Sequence, residues 1–335
     1  MTVIKDHIPS QKHYSAIKYI LEACCAIVPT DHVLILCDEN TEDIATIFYK
    51  ESCNFSKQVN LLKIPKMQSH GKEPNDMVVE SMCSSTLIIS ICTYSLAHSQ
   101  ARMKSSNVGA RFLSLPLYSW ELLEDNCIFA DYKSQSSLVR YFSDAFTAGN
   151  CIHVTSSIGT DLTLDIGNRY GNYCPGFVAN AGDLGSPPDI ESNVSPIENK
   201  SNGRIVVDGS ITCPEIGLLT TPVTLDVING KIIKVSSDRS DYVNIIEKML
   251  CELGSSKRVV AECGVGLNPL AKLTGSMLTD EGAIGCVHFG LGANNTVGGK
   301  NKVDFHLDFV LREPNLIIDN TLMIKEGDIC YKNHM

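Results

Sequence analysis

The sequence predicts an α/β amino-terminal domain with a mostly parallel, doubly wound sheet, followed by an α+β domain built on mostly antiparallel sheet. Three observations predict it. Continuous apolar runs alternate with amphipathic helices over the first third of the chain. The texture then changes near residue 150 to short alternating strands, and Gly, Asn, Asp and Pro punctuate those strands as turns. The boundary falls between residues 135 and 136, giving domains 1–135 and 136–335.

In order, a helix is expected near 11–28, then the strand "HVLILCD" (32–38), a helical stretch over 40–53, an apolar segment over 59–64 and a helix near 74–83. "STLIISIC" (85–92) and "ARFLSLP" (110–116) follow. Such unbroken apolar runs suit strands buried on both faces of a parallel sheet. Beyond residue 150, "NCIHVTSSIGTDLTLDIGNR", "GRIVVDGSI" and "PVTLDVINGKIIKV" alternate as half-buried strands do, and Asn229-Gly230 marks a tight hairpin. One helix interrupts them near 240–254. The stretch 180–203, rich in Ser, Pro, Asn and Gly, reads as a long loop.

Composition excludes some functions. A formal net charge of -10 and a pI near 5.4 argue against nucleic-acid binding, which needs a basic surface to displace counterions. No run of about 18 apolar residues is free of charge, so no spanning helix or membrane partner is expected. The first thirty residues, with His7, Lys12, His13 and Glu22, do not read as a signal peptide, and a cytoplasmic location is expected. The fourteen cysteines lie singly apart from Cys24-Cys25 and form no CxxC pair, which predicts reduced, mostly buried thiols. Cys263 and Cys286 are candidates for oxidation sensitivity beside a site. "GLGANNTVGG" lacks the glycine spacing and context of a dinucleotide loop, and its glycines are expected to make turns with positive φ near a site.

The chemistry concentrates late in the chain. In "DFHLDFV", His306 and Asp308 leave the same face of a strand while Phe305, Leu307 and Phe309 point to the other. His288 lies on the preceding strand, in "GCVHFGLG". Glu262 sits in the apolar strand "VVAECGVGLNP", where an unpaired carboxylate would be costly. Glu191, in "DIESNVSP", is placed to close over them. Three carboxylates and two imidazoles suit Zn, Mn, Co or Fe and suffice for a two-metal centre.

These residues carry a resemblance. "VTSSIGTDLTLDIGNR", "GRIVVDGSI", "AECGVGLNP", "TDEGAIGCVHFGLG" and "KVDFHLD" occur in the order found in the aminopeptidase T family of two-metal exopeptidases and its shorter relatives, the 2,5-dihydroxypyridine dioxygenases. They cover most of residues 150–328, and "SLAHSQARMKSSNVGARF" (95–112) resembles the family more loosely. The resemblance implies that Glu191, with Pro196 five residues later, Glu262, His288, His306 and Asp308 match the ligands of the aminopeptidases' metal pair. Those enzymes place a catalytic tyrosine seven residues after the first histidine, where this chain has Asn295. The dioxygenase branch resembles this chain in length and in a "TVGGK"-like segment. Its iron site uses His, Ser, His and Asp, and Glu262 and Gly290 stand at the first two positions here. Its proposed catalytic histidine corresponds to His98.

The expected function is therefore a metal-dependent hydrolase that cleaves a peptide or small-molecule amide bond with a metal-activated water, using two divalent ions (Zn, Mn or Co). Glu281, in "LTDEGAIG", is the candidate general base or ligand-supporting carboxylate, and Asn295, His98 or Arg102 would replace the missing tyrosine. The resemblance places Thr160, Asp161 and Arg169 near the substrate. The alternative is a mononuclear non-haem Fe(II) ring-cleaving dioxygenase with His288, His306 and Asp308 as a facial set. A third reading is a non-catalytic binding homologue. The expected partner is a small-molecule or short-peptide substrate, and the relatives imply a homodimer.

Overall fold

The structure is a computed structural model that describes residues 8–331. His7 lies outside them. The chain forms two compact units, one made of residues up to Phe129 together with Phe177–Pro187, the other of Ala130–Gly176 and Pro188 onward.

The first unit holds a five-stranded parallel sheet in the order Gln58–Lys63, His32–Cys37, Leu87–Ile91, Arg111–Ser114, Leu184–Gly185. Ile35, Leu36, Ile88, Ile89, Phe112 and Leu113 are fully buried, as runs apolar on both faces require. Helices Glu42–Ser52, Asp76–Cys83 and Gln100–Asn107 alternate with these strands. Asn75 and Ser99 cap the last two by accepting hydrogen bonds from the backbone N–H of Val78 and Arg102. The helix expected over 11–28 is α-helical over Gln11–Tyr19 and widens into a π-helical turn over Ile20–Cys24.

The second unit opens with the helix Tyr132–Ala148, which the pattern reading did not anticipate. Its buried Val139, Phe142, Ser143 and Phe146 recur at intervals of three, one and three, the stripe of a helix packed on one side. Asp131 caps it at Ser134 N–H. Two antiparallel sheets follow. One has eight strands, among which Val223–Ile228 and Lys231–Ser236 join through Asn229 and Gly230, both at positive φ as that hairpin demands. The other has seven strands, in the order Gly217–Leu218, Ser210–Ile211, His306–Leu311, Val287–Gly292, Cys263–Gly266, Glu191–Val194, Gly171–Cys174.

The stretch 180–203 is not one uninterrupted loop. It contributes Leu184–Gly185 to the parallel sheet and the buried Glu191–Val194 to the seven-stranded one. Its polarity is spent inside: Ser192 Oγ donates to Asn172 O, Asn193 Nδ2 to Glu191 Oε1 and Ser195 Oγ to Val297 O. All fourteen cysteines are free thiols. No helix among the described residues is long and apolar enough to cross a membrane.

Candidate metal centre

The register of the seven-stranded sheet gathers the candidate ligands on one face. Residues directly opposite in antiparallel pairs point to the same side. Glu191 lies opposite Gly266, Asn193 opposite Gly264, and Gly264 opposite His288. On the next pair, Gly290 lies opposite Asp308 and Gly292 opposite His306. Glu262 enters beside them by exchanging both backbone hydrogen bonds with Gly290.

Glycine makes this crowding feasible. A Cβ at Gly264 would lie 2.1 Å from His288 Nε2, and one at Gly290 would lie 2.7 Å from His306 Cε1 and 2.9 Å from Glu262 Cβ. The imidazoles therefore lie across strands that offer them bare backbone. Gly290 is not at positive φ, so its requirement is space; Gly292 and Gly298 do adopt positive φ, the turn role expected of this stretch. No serine could stand at position 290 while Glu262 and His306 keep these places.

Ligand atoms of Glu191, Glu262 and His288 all lie within 4.8 Å of one another, and all three residues are buried. His288 Nε2 is 3.1 Å from Glu191 Oε2 and 3.8 Å from Glu262 Oε1. The other oxygen of Glu262 is 3.5 Å from His306 Nε2, which is also 3.1 Å from Asp308 Oδ1. Glu262 thus spans the two histidines. His306 Nδ1 faces the carbonyl of Ala293 at 3.1 Å, which fixes it as the protonated nitrogen and turns Nε2 to the carboxylates.

The electrostatics are unbalanced. Burial opposes charge on His288, yet Glu191 and Glu262 beside it and the Asp308 charge hold its pKa well above the ordinary imidazole value. Burial likewise opposes charge on His306, and Asp308 and Glu262 push it up to about 10. Burial would raise Asp308, but His306 holds it well below the usual carboxylate range. Burial and the Asp308 charge push Glu281 well up, and burial and Glu191 do the same to Asp189. Among these groups, Glu191 Oε2, Asp189 Oδ1, Glu281 Oε1 and both ring nitrogens of His288 are buried without an aligned hydrogen-bond partner. Buried polar atoms seldom stay so, and a divalent cation among them is the ligand that satisfies carboxylate and imidazole together. The donor set fits a metal.

The other residues singled out by sequence have their own local surroundings. His98 and Arg102 belong to the first unit; His98 is exposed, and Arg102 Nε donates to Ala97 O at 2.6 Å. Asp161 is on the eight-stranded sheet, exposed and paired to His153 at 2.8 Å, so the structure does not bring it to the cluster. Thr160 hydroxyl bonds both backbone groups of Val206. Asn295 is an exposed turn residue, whereas its neighbour Asn294 is buried and bonded to Glu198 and Ala261. Arg169 pairs with Glu198 at 2.7 Å and donates to Gly298 O, bracing the segment between the two histidine strands. Glu281, by contrast, lies against Asp308. Sequence reading missed Asp189, Asn193 and Asn172. Asp189 stands two residues before Glu191, and that alternation was its only signal.

The family model described as 2,5-dihydroxypyridine 5,6-dioxygenase (NicX) matches residues 14–331. A curated 2,5-dihydroxypyridine 5,6-dioxygenase of Pseudomonas putida KT2440 is 25% identical over 189 residues, a match that spans about half (53%) of each chain. The solved structure of the 2,5-dihydroxypyridine dioxygenase from the same strain superposes with a TM-score of 0.84 at 19% identity, covering 97% of this chain and 99% of that one. Wild-type AmpT from Thermus thermophilus superposes with a TM-score of 0.70 at 10% identity, covering 96% and 99%. Both likenesses support the two-part α/β and α+β fold. The family match overturns the hydrolase and aminopeptidase expectation, and the position where the aminopeptidases' tyrosine was sought holds a solvent-facing asparagine.

Proposed function

Because the chain belongs to the 2,5-dihydroxypyridine 5,6-dioxygenase family, we propose that it is a metal-dependent dioxygenase that opens a small dihydroxylated ring, with 2,5-dihydroxypyridine the first substrate to test. The observation that carries this reading is the set of buried carboxylates and imidazoles on one sheet face, with donor atoms left unpartnered. When bound, a ferrous ion at this set would supply open positions at which the ring and dioxygen meet.

The chain's own groups do the rest. Glu191, Glu262 and His288 would hold the ion. His288 forms the closed end, its side chain 1% exposed, while the His306 side chain is 28% exposed. A ring therefore approaches from the His306 side. A hydroxyl arriving there meets Glu262 and Asp308, which flank His306 Nε2 and can accept a hydrogen bond from it. Both atoms of dioxygen enter one ring-opened product whose formula is substrate plus O₂, so no outside reductant is consumed.

Glu262 and Gly290 stand where the resemblance gives the dioxygenases a histidine and a serine. The site here is accordingly richer in carboxylate, and Mn(II) is a second ion to test beside Fe(II). The assay is anaerobic loading with each metal, followed by 2,5-dihydroxypyridine and ¹⁸O₂. The expected result is one O₂ consumed per ring, with both labels in one product. Loaded protein that leaves oxygen and ring unconsumed overturns the reading for this substrate. A homodimer is the proposed assembly, checked by light scattering.

A further inference from the structure

We infer that Asn172 and Asn193 form a positioning relay that sets the orientation of Glu191 in the metal site and ties it to the glycine-rich segment between the two histidine strands. The inference rests on the reading of this cluster as a cation site. Asn193 Nδ2 donates to Glu191 Oε1 at 2.7 Å, and Asn172 Nδ2 donates to Asn193 Oδ1 at 2.7 Å. Asn172 Nδ2 also donates to Val297 O at 3.1 Å, a carbonyl that accepts from Ser195 Oγ as well.

The polarity of this chain of bonds follows from its end. An ionised carboxylate only accepts, so Asn193 must turn its NH₂ to Glu191 and its carbonyl away. That carbonyl needs a donor, which fixes Asn172 with its NH₂ inward. One oxygen of Glu191 is thereby held, and the other, Oε2, is left unpartnered toward His288. The register makes the arrangement possible, because Asn172 lies directly opposite Asn193, and both point to the ligand face. Asn193 is 3% exposed, so no water competes for these bonds. A buried asparagine side chain is costly unless its hydrogen bonds are used. Here they hold the ligand carried by Glu191–Val194, the strand beside Cys263–Gly266.

The test compares Mn(II) affinity, Co(II) absorption and metal-free unfolding for the wild type, Asn193→Leu, Asn172→Ala and Ser192→Ala. Ser192 serves as the control, because its hydroxyl bonds Asn172 O from the opposite face of the same strand. Asn193→Leu is expected to weaken Mn(II) binding about 10–100-fold, the usual cost of removing a ligand's supporting hydrogen bond, and to shift the Co(II) bands. Asn172→Ala should show a smaller loss in the same direction. Ser192→Ala should lower the unfolding temperature and keep wild-type affinity. Should Asn193→Leu not fold, Asn172→Ala, at the outer end of the relay, carries the test. Folded variants with wild-type affinity, or a loss in Ser192→Ala equal to that in Asn193→Leu, overturn the relay. A wild type that takes up no Mn(II) or Co(II) overturns the cation site beneath it.

Discussion

Two buried charge clusters, one in each unit, show what separates a structural ion pair from a site. In the first unit Asp31 and Arg111 are nearly inaccessible and meet at 2.6 Å. Asp31 also accepts from Thr86 Oγ at 2.7 Å and Val28 N–H at 2.9 Å, while Arg111 donates to Cys25 O at 2.6 Å and to Ala26 O and Val178 O. Charge is matched and both carboxylate oxygens are used. In the second unit Asp189, Glu191, Glu262, Glu281 and Asp308 surround two histidines, and several donor atoms have no partner. A fold does not need such an imbalance for stability, since burying unpaired charge costs several kcal/mol. The first cluster completes itself, and the second waits for a cation.

The contrast can be broken from either side. Arg111→Ala strands the Asp31 carboxylate and should cost about 3–5 kcal/mol of stability, read by denaturant unfolding, with metal binding unchanged. Glu262→Gln should do the reverse. It relieves repulsion and leaves the metal-free protein as stable as wild type or more so, while abolishing metal-induced stabilisation, which for wild type is about 2.7 kcal/mol at a metal concentration 100 times Kd. Gly264→Ala drives a methyl into His288 and should cost about 1–3 kcal/mol together with metal affinity. Acid unfolding sharpens the comparison further. Burial would raise Asp31, but Val28 N–H, Arg111 and Thr86 outweigh it and hold its folded pKa below the ordinary value of about 3.9. Its contribution is therefore full above that value and lost as pH falls through the folded one, so Asp31→Asn should flatten stability against pH in that acid window. The smallest effect is expected at Gly254→Ala, where an added Cβ meets nothing within 4 Å, and stability should stay within about 0.5 kcal/mol.

Much of this was legible in the sequence, for a physical reason. Strand periodicity reports which side chains share a face, so His306 and Asp308 could be paired from spacing alone, and the apolar runs of the first unit announced a sheet buried on both faces. Periodicity within a strand does not report what lies opposite. The roles of Gly264 and Gly290, which clear space for imidazoles from neighbouring strands, and the bonds of Asn172 and Asn193 depend on register between distant segments. Polarity misled at 180–203, because serine and asparagine bonded inside a sheet have the composition of a loop. At Asn294 and Asn295 one residue decides between a buried brace and a solvent-facing turn, finer than a pattern resolves. The family was visible in the ordered motifs, but five matching ligand types do not by themselves distinguish hydrolysis from oxygenation.

The most direct test of the account is anomalous diffraction from crystals soaked in Mn(II). The account predicts a peak about 2.0–2.3 Å from Glu191 Oε2, a Glu262 oxygen and His288 Nε2. Crystals with Mn(II) bound elsewhere, and these three side chains unchanged with nothing between them, would contradict it.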